Sequence, residues 1–279
     1  MKNDPNRFDI MEKLSSNGQT VKPGAKFVFI FIMVVLIMNG GLGGNRKANG
    51  NDSPFYPGEK LTFELKWGFI PAGRAVLEVL PVETVNTVQA HHFVLTARTN
   101  AFVDIFYKVR ERIDAYTDVA MNHSILYKEV HVVNKTRRDA VIDFDWKKDK
   151  AQYTNLGKKN PPIALMPGSF DPLSIFYYAR RLALQENSEI ERPVTDGKKC
   201  VVGTAKVVKR EKIKLGIGTF DTYLMEPDLK EVGGVFKQSK NAKIRLWVTA
   251  DNRRIPVKIK SKVVVGSFSG ELIALEQLE

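Results

Sequence analysis

Hydrophobic and polar residues alternate with period two along most of the chain after about residue 55. Lys60–Trp67 (KLTFELKW) and Ala140–Trp146 (AVIDFDW), for example, place apolar and polar side chains on opposite faces of an extended strand. Similar segments, divided by Gly, Pro, Asn or Asp clusters, are Arg74–Val82, His91–Thr99, Tyr107–Tyr116, Ile125–Val133, Lys198–Leu215, Ile217–Pro227, Lys243–Ala250 and Ile255–Leu275. Few helical patterns separate them, which predicts antiparallel neighbours, because parallel strands need long crossovers.

The number of segments predicts a sheet of about a dozen strands, and twisted sheets of that size tend to curl, close or split. We therefore predict an all-β fold in residues 55–279, a curled antiparallel meander that forms a β-spiral or open barrel. Residues 45–54 are predicted to be a flexible linker before this single domain. The Gly-containing stretch Pro227–Ala242 is predicted to be a long loop within it.

One segment, GSFDPLSIFYYARRLALQ, departs from the β pattern. Asp171 before Pro172 matches an N-cap followed by proline at the first helical position, and good helix formers continue to Gln185. The predicted helix is apolar nearly all round apart from Arg180 and Arg181, which indicates burial on several sides. We expect it to plug the mouth or interior of the curled sheet; the alternative is a helix packed outside a single layer.

The N-terminal region predicts export. A polar leader that contains Lys13, Lys22 and Lys26 precedes the apolar run Phe27–Met38, and the small-residue stretch NGGLGGN follows it. This order matches a signal peptide in residues 1–44, cleaved near Gly43. The run is shorter than the roughly 20 apolar residues of a spanning helix, but an uncleaved signal anchor is the alternative. The body is then periplasmic, either released or anchored to the inner membrane.

Composition indicates anionic partners. The chain has 43 Lys and Arg against 31 Asp and Glu, a formal net charge of +12, which favours lipid head groups, lipopolysaccharide or nucleic acid. Export removes nucleic acid from this set. A single cysteine, Cys200, excludes an internal disulfide. The four histidines show no metal-ligand spacing and no cofactor loop is complete, so we predict no metal, no cofactor and no catalytic residues.

A charged residue on an apolar strand face marks a candidate ligand site. Glu111 shares a face with Tyr107, Val109 and Ile113 and is predicted to be buried. A buried carboxylate needs a partner or a proton. The candidate partners are Arg74 or Arg98 on neighbouring strands and Arg180 and Arg181 on the helix. The candidate ligand-binding residues are Glu111, Arg74, Arg180, Arg181 and Tyr177. Such a pair either fixes the register of the fold or anchors the head group of a ligand.

A basic hairpin near the end of the chain is a candidate surface for binding the envelope. In Leu246–Leu272 and the residues just before it, apolar positions alternate with a basic ladder that contains a tryptophan. The residues of this face are Arg245, Trp247, Lys258, Lys260 and Lys262. The alternative is an ordinary solvated face whose lysines discourage pairing at a sheet edge.

Five blocks carry a resemblance to a known family: Tyr56–Val79, Tyr107–Asp118, Phe170–Arg180, Thr195–Lys199 and LWVTADNRRIPVKIKSKVVVGSFSGEL. In this order they resemble the bacterial domain-of-unknown-function family 3108. The resemblance implies an exported envelope protein of a Gram-negative-type bacterium, with a fold similar to the β-spiral of an envelope-integrity family. It brings no catalytic residues.

Three functional hypotheses follow. The first is a non-enzymatic envelope protein that shelters a lipid or other apolar ligand, or docks an envelope partner. The second is a scaffold with a filled core. The third is a hydrolase of envelope polymers that uses Asp143 and Asp145 on one strand face, although this alternation is more typical of a solvated face.

Overall fold

The computed structural model describes residues 53–228, 243–263 and 266–277. The predicted signal peptide, nearly all of the predicted linker and most of the predicted loop Pro227–Ala242 lie outside these residues. No helix in the described ranges is long and apolar enough to cross a membrane.

The described chain consists almost entirely of β-strands. The strands are β1 (Lys60–Trp67), β2 (Ile70–Val85), β3 (Val88–Thr99), β4 (Val109–Asp118), β5 (Ser124–Val133), β6 (Thr136–Asp145), β7 (Lys150–Asn155), β8 (Lys158–Lys159), β9 (Ile163–Ala164), β10 (Glu189–Thr195), β11 (Cys200–Leu215), β12 (Gly218–Pro227), β13 (Lys243–Thr249), β14 (Pro256–Val263) and β15 (Gly266–Glu276). Two short helices interrupt them, α1 (Ala101–Asp104) and α2 (Ser174–Arg180). The predicted all-β fold is confirmed.

All strands belong to one antiparallel sheet. Its order is β10 to β15 in sequence, then β1 to β8, so the first strand pairs with the last. The short strand β9 pairs with β7. The sheet is open rather than closed, because β10 and β8 are edge strands within the described residues. The predicted curled antiparallel meander is therefore confirmed.

A short extended segment links two distant parts of the curled sheet. The Ser124 N–H at the start of β5 donates to the Ser169 carbonyl at 3.1 Å. The Phe170 N–H donates to the Pro193 carbonyl in β10 at 3.0 Å, and the Thr195 N–H donates to the Phe170 carbonyl at 2.9 Å. The edge strand β10 thus reaches β5 through this segment, which hydrogen-bonds the Pro193 carbonyl and the Thr195 N–H of β10.

The inward side chains form one continuous core that draws on nearly every strand. The register explains why, because residues that face each other on neighbouring strands share a face. One inward row runs from Phe63 through Ala75 and Ala97 to Glu111, and continues to His131 and Arg138. The row begins with apolar residues in β1 to β3 and becomes polar in β4 to β6.

Asp171 caps the turn that leads into helix α2, but the helix begins at Ser174 instead of Pro172 and is shorter than predicted. One Asp171 carboxylate oxygen accepts hydrogen bonds from the Leu173 and Ser174 N–H groups, both at 2.9 Å. The helix ends at Arg180 instead of Gln185. A physical reason lies at this end, where Arg254 Nη1 donates to the Arg180 carbonyl at 3.2 Å and so occupies an acceptor that a longer helix would use.

The helix packs into the interior of the sheet, as expected for a plug. Ile175, Tyr177 and Arg180 are buried. The Tyr177 ring stacks on Phe93 of β3 with centroids 3.9 Å apart, and Phe55 lies edge-on to it at 5.4 Å. These rings fill the interior at the end of the sheet where α2 enters.

The close approach of β2 and β3 requires a glycine at position 73. A Cβ atom added to Gly73 would lie 2.1 Å from the Arg98 carbonyl oxygen, and neither backbone can move without disturbing the ladder. We expect Gly73→Ala to lower the free energy of unfolding by about 2 kcal/mol, measured by urea denaturation. The control is Gly216→Ala, because a Cβ there meets no atom within 4 Å. Equal stabilities of the two variants would contradict this prediction.

Candidate functional site

A group of polar side chains lies inside the sheet on β4, β5 and β6. Glu111 faces His131 across β4 and β5, and His131 faces Arg138 across β5 and β6. Glu129 lies two residues before His131 and therefore on the same face. We call Glu111, Glu129, His131 and Arg138 the interior polar cluster.

The members of the cluster are in direct contact. Glu111 Oε2 contacts His131 Nδ1, and Arg138 Nη2 donates to Glu129 Oε2 at 2.5 Å. The Tyr127 hydroxyl donates to the same Glu129 oxygen at 3.4 Å. The Glu111 side chain is 0% exposed, and its second oxygen, Oε1, has no hydrogen-bond partner. One buried acceptor, Glu111 Oε1, is thus unsatisfied in this site.

Burial dominates the protonation of this site. It raises the pKa of Glu111 to about 10, the nearby Glu129 charge raises it further, and Arg138 opposes the shift. Burial also lowers the pKa of His131. At neutral pH Glu111 therefore carries a proton and His131 is uncharged. Glu111 and Glu129 each offer a carboxylate oxygen that could bind a metal ion, and His131 offers a ring nitrogen. These three atoms lie within 4.8 Å of one another.

The predicted arginine partners do not contact Glu111. Arg74 and Arg98 face each other on β2 and β3 at positions that alternate with the core residues, so they lie on the outer, exposed face. Arg181 Nη1 donates to the Ala120 carbonyl at 2.6 Å. The prediction that one of these arginines contacts Glu111 was wrong. The contact partner depends on strand order and register, which the alternation of apolar and polar residues does not give.

Arg180 is buried and serves a different carboxylate. Its guanidinium donates to both oxygens of Glu59, at 2.6 and 2.9 Å, and to the Pro54 carbonyl at 2.8 Å. Its Nε donates to the Arg253 carbonyl at 3.1 Å, and Arg253 Nη2 in turn lies 3.1 Å from Glu59 Oε2. Arg180 therefore ties α2 to the start of the domain and to the β13–β14 turn. Tyr177, the other helix residue in the predicted ligand set, is packed among aromatic rings.

The residues predicted for the basic face of the hairpin lie opposite one another, but not all of them are exposed. Trp247 lies opposite Lys258 in the register but is only 8% exposed, and its Nε1 donates to Glu211 Oε1 at 3.0 Å. Lys258 pairs with Glu271 at 2.7 Å and Arg245 with Glu226 at 2.8 Å. Exposed Lys260 and Lys262 have no ion-pair partner among the described residues. The expectation of a displayed tryptophan was wrong, because neighbouring side chains cover it.

Four large apolar side chains project from one end of the sheet. Phe69, in the β1–β2 turn, is 90% exposed, and Phe102, Ile105 and Phe106, in and after α1, are 50%, 75% and 56% exposed. The two turns are adjacent, since Asn100 donates through its backbone and side chain to the Ala72 and Pro71 carbonyls, at 2.9 and 2.8 Å. We call Phe69, Phe102, Ile105 and Phe106 the apolar tip.

The apolar tip is held in place by polar contacts beneath it. Asn100 Oδ1 caps α1 by accepting from the Val103 N–H at 2.9 Å. Arg110 of β4 donates to both Asp104 oxygens, at 3.0 and 2.5 Å, and the bond lowers the pKa of Asp104 to about 2. Exposed Lys108 follows the tip, and its carbonyl accepts from the Asn134 N–H beside Lys135 at 2.9 Å.

Sequence reasoning found buried Glu111 but missed the other members of the interior polar cluster, and it missed the apolar tip. The cluster is hard to find because Val130 and Val132 make either face of β5 a candidate inner face. The tip has a weak signal, since Phe69 lies between Gly68 and a proline two residues later, in a segment typical of a turn. Asp143 and Asp145 lie on the outer face of β6, where Asp145 pairs with Lys148 at 3.0 Å.

The fold has relatives among solved structures. The beta-barrel-like protein of the domain of unknown function DUF1849 from Brucella abortus is 13% identical and has a TM-score of 0.52, with 79% of this chain and 98% of that chain covered. The hypothetical protein CT021 from Chlamydia trachomatis is 8% identical, with a TM-score of 0.35 and coverage of 80% and 88%. No curated protein matches the chain.

The family resemblance is confirmed by a family model described as "Protein of unknown function (DUF3108)", which matches residues 62–273. The match spans every described strand except the ends of β1 and β15. Because it covers well over half of the chain, the protein belongs to the DUF3108 family.

Proposed function

We propose that the protein is a non-enzymatic, exported envelope protein that docks on an anionic lipid surface through its apolar tip. The observation that carries the proposal is the grouping of four large, exposed apolar side chains on two adjacent turns. Single exposed apolar residues are ordinary, but a group of this size on two adjacent turns is typical of an interaction site.

The chemistry around the tip favours lipid as the partner. Lys108 and Lys135 flank the tip and are exposed, and the whole chain carries a net charge of +12. Phenylalanine and isoleucine side chains that enter the acyl boundary, with lysines at the level of the head groups, are the combination found in interfacial anchors. Each buried apolar side chain adds about 1.5–3 kcal/mol, and each lysine about 1 kcal/mol on an anionic surface.

The compartment supports the same partner. The predicted signal peptide or signal anchor would deliver the body to the periplasm, where anionic phospholipid and lipopolysaccharide are available. An N-terminal anchor would also keep the tip close to a membrane, so that weak contacts suffice.

Sheltering a lipid inside the sheet stays a prediction, as do docking of a protein partner and hydrolase activity. The rings of Phe55, Phe93 and Tyr177 fill the interior where α2 enters, which gives the shelter hypothesis less support than surface docking. The scaffold hypothesis predicts that the tip has no affinity for lipid and is tested by the same experiment.

A tryptophan placed in the tip reports docking of the full-length chain. We expect Ile105→Trp to be quenched by brominated lipid in vesicles of phosphatidylcholine and phosphatidylglycerol, because the side chain enters the acyl region. The matched control is Ile217→Trp, which is also exposed but lies in the β11–β12 turn. Equal quenching of the two variants, after subtraction of the parent chain, would show that the tip does not dock.

Charge variants separate the surfaces. In the Ile105→Trp chain, Lys108→Gln with Lys135→Gln should weaken binding up to about thirtyfold, the equivalent of about 1 kcal/mol for each lysine. Lys258→Gln, Lys260→Gln and Lys262→Gln together should have a smaller effect, and the reverse ranking would move the lipid contact to the basic hairpin. Concentration-dependent dimerisation without lipid, abolished by Phe69→Ser and Phe106→Ser, would identify a second copy as the partner and overturn the proposal.

A further inference from the structure

The interior polar cluster has the geometry of a binding site for a cation. Glu111 and His131 are direct cross-strand neighbours, and Glu129 shares the face of His131. Their donor atoms lie within 4.8 Å of one another, and no other group of three such residues meets this condition in the described part of the chain. The ligands are carried by neighbouring strands of a continuous sheet, so their backbones are positioned before any ion binds.

A second observation at this place is a buried oxygen without a hydrogen-bond partner. Glu111 Oε1 is buried without a hydrogen-bond partner, in a side chain that is 0% exposed. Buried carboxylate oxygens are ordinarily paired or coordinate metals. The other oxygen of this carboxyl group, Glu111 Oε2, contacts His131 Nδ1. The unpartnered oxygen and the imidazole nitrogen therefore lie near each other.

We infer that Glu111, Glu129 and His131 bind a divalent transition-metal ion of the Zn²⁺ or Mn²⁺ class. One imidazole nitrogen and two carboxylates suit such ions, whereas Ca²⁺ and Mg²⁺ prefer oxygen donors alone. Bonds of about 2.1 Å place the donors of a tetrahedral site about 3.4 Å apart. Small side-chain rotations bring the three donors to that separation, and water completes the coordination.

The surroundings orient the ligands. Arg138 donates to Glu129 at 2.5 Å and the Tyr127 hydroxyl donates to the same oxygen at 3.4 Å, which leaves Glu129 Oε1 for the ion. Such outer contacts hold metal-binding carboxylates in place. Binding of M²⁺ releases the proton that Glu111 carries at neutral pH. The two ionised carboxylates and Arg138 then sum to −1, which compensates part of the charge of the ion.

A second buried histidine provides the matched control. His92 also has two carboxylate partners, Glu83 at 2.7 Å and Asp114 at 2.9 Å. They contact different ring nitrogens, Nδ1 and Nε2, and therefore lie on opposite sides of the imidazole. His92 therefore has the same types of neighbour as His131, but its two carboxylates cannot bind one ion together with a single ring nitrogen.

The test measures how the full-length chain binds Zn²⁺ or Mn²⁺ that is added back after EDTA has removed bound metal. We expect one Zn²⁺ or Mn²⁺ per chain by elemental analysis after desalting. The ion should raise the thermal midpoint by about 5 °C at a hundred times its Kd. His131→Gln and Glu111→Gln should weaken binding at least about tenfold, while His92→Gln should bind like the parent chain.

Several results would overturn the inference. They are the absence of a stoichiometric ion in the parent chain, parent-like binding by His131→Gln, and equal loss of binding in His92→Gln. If the cluster variants do not fold, X-ray absorption of the Zn²⁺-loaded parent chain decides. One nitrogen with oxygen neighbours supports the site, whereas a sulfur neighbour places the ion at Cys200.

Discussion

Replacing Arg180 with methionine is expected to lower the free energy of unfolding by about 3–5 kcal/mol, the usual effect of removing one member of a buried ion pair. Arg180 and Glu59 side chains are each 1% exposed and share two hydrogen bonds. Methionine fills much of the space of the arginine stem, so the loss comes from the charge. Among the described residues Glu59 keeps only Arg253, at 3.1 Å, and the Pro54 carbonyl loses its donor.

Urea denaturation measures this effect, and two further variants define its origin. Arg180→Lys should recover little stability, because a single ammonium group cannot donate to both Glu59 oxygens and the Pro54 carbonyl in the same geometry. Adding Glu59→Gln to Arg180→Met should restore much of the loss, since the unpaired charge is then removed. A change of less than about 1 kcal/mol in Arg180→Met would indicate that the pair is hydrated instead of buried.

Replacing Glu111 with glutamine is expected to stabilise the metal-free protein at neutral and alkaline pH. At pH 7 the free energy of unfolding should rise by about 3 kcal/mol. The folded-state pKa of Glu111 is raised to about 10, from an ordinary value of 4.5. At a pH between these two pKa values, Glu111 holds a proton in the folded state that it has released in the unfolded state. Stability from this residue is therefore complete below pH 4.5 and falls as pH rises towards 10. Glutamine resembles the neutral acid and removes the dependence.

Unfolding by urea between pH 4 and pH 9, with EDTA present, tests this prediction. The parent chain should lose stability with rising pH relative to Glu111→Gln, and the two should converge near pH 4. The control is Glu78→Gln on the outer face of β2, which should follow the parent chain. A constant difference across the pH range would show that Glu111 does not change its proton on unfolding.

The alternation of residues predicts much of this fold because it depends on local geometry. A strand such as β1 has Leu61 and Phe63 on one face and charged residues on the other, whatever lies next to it. Asp171 caps the next turn through its own backbone neighbours. Short connections made the antiparallel order predictable, and the number of strands made curvature predictable.

Contacts between distant residues could not be predicted in the same way. The sequence placed Glu111 on an apolar face, but Arg74, Arg98, Arg180 and Arg181 all remained candidate partners. His131 became the partner because β4 pairs with β5 in a register that sets the two residues opposite each other. A shift of one residue would have turned His131 outward.

The amino-acid sequence by itself determined most strands, the antiparallel pairing of chain neighbours and the curled all-β class, because periodicity and turn residues act over a few positions. The resemblance of five sequence blocks indicated the family. Only the tertiary structure decided that Arg180 is buried against Glu59, that Trp247 is covered, and that Glu111 meets His131. It also decided that two apolar turns lie side by side at one end of the sheet. These outcomes depend on register and curvature, which bring together residues that are far apart in the chain.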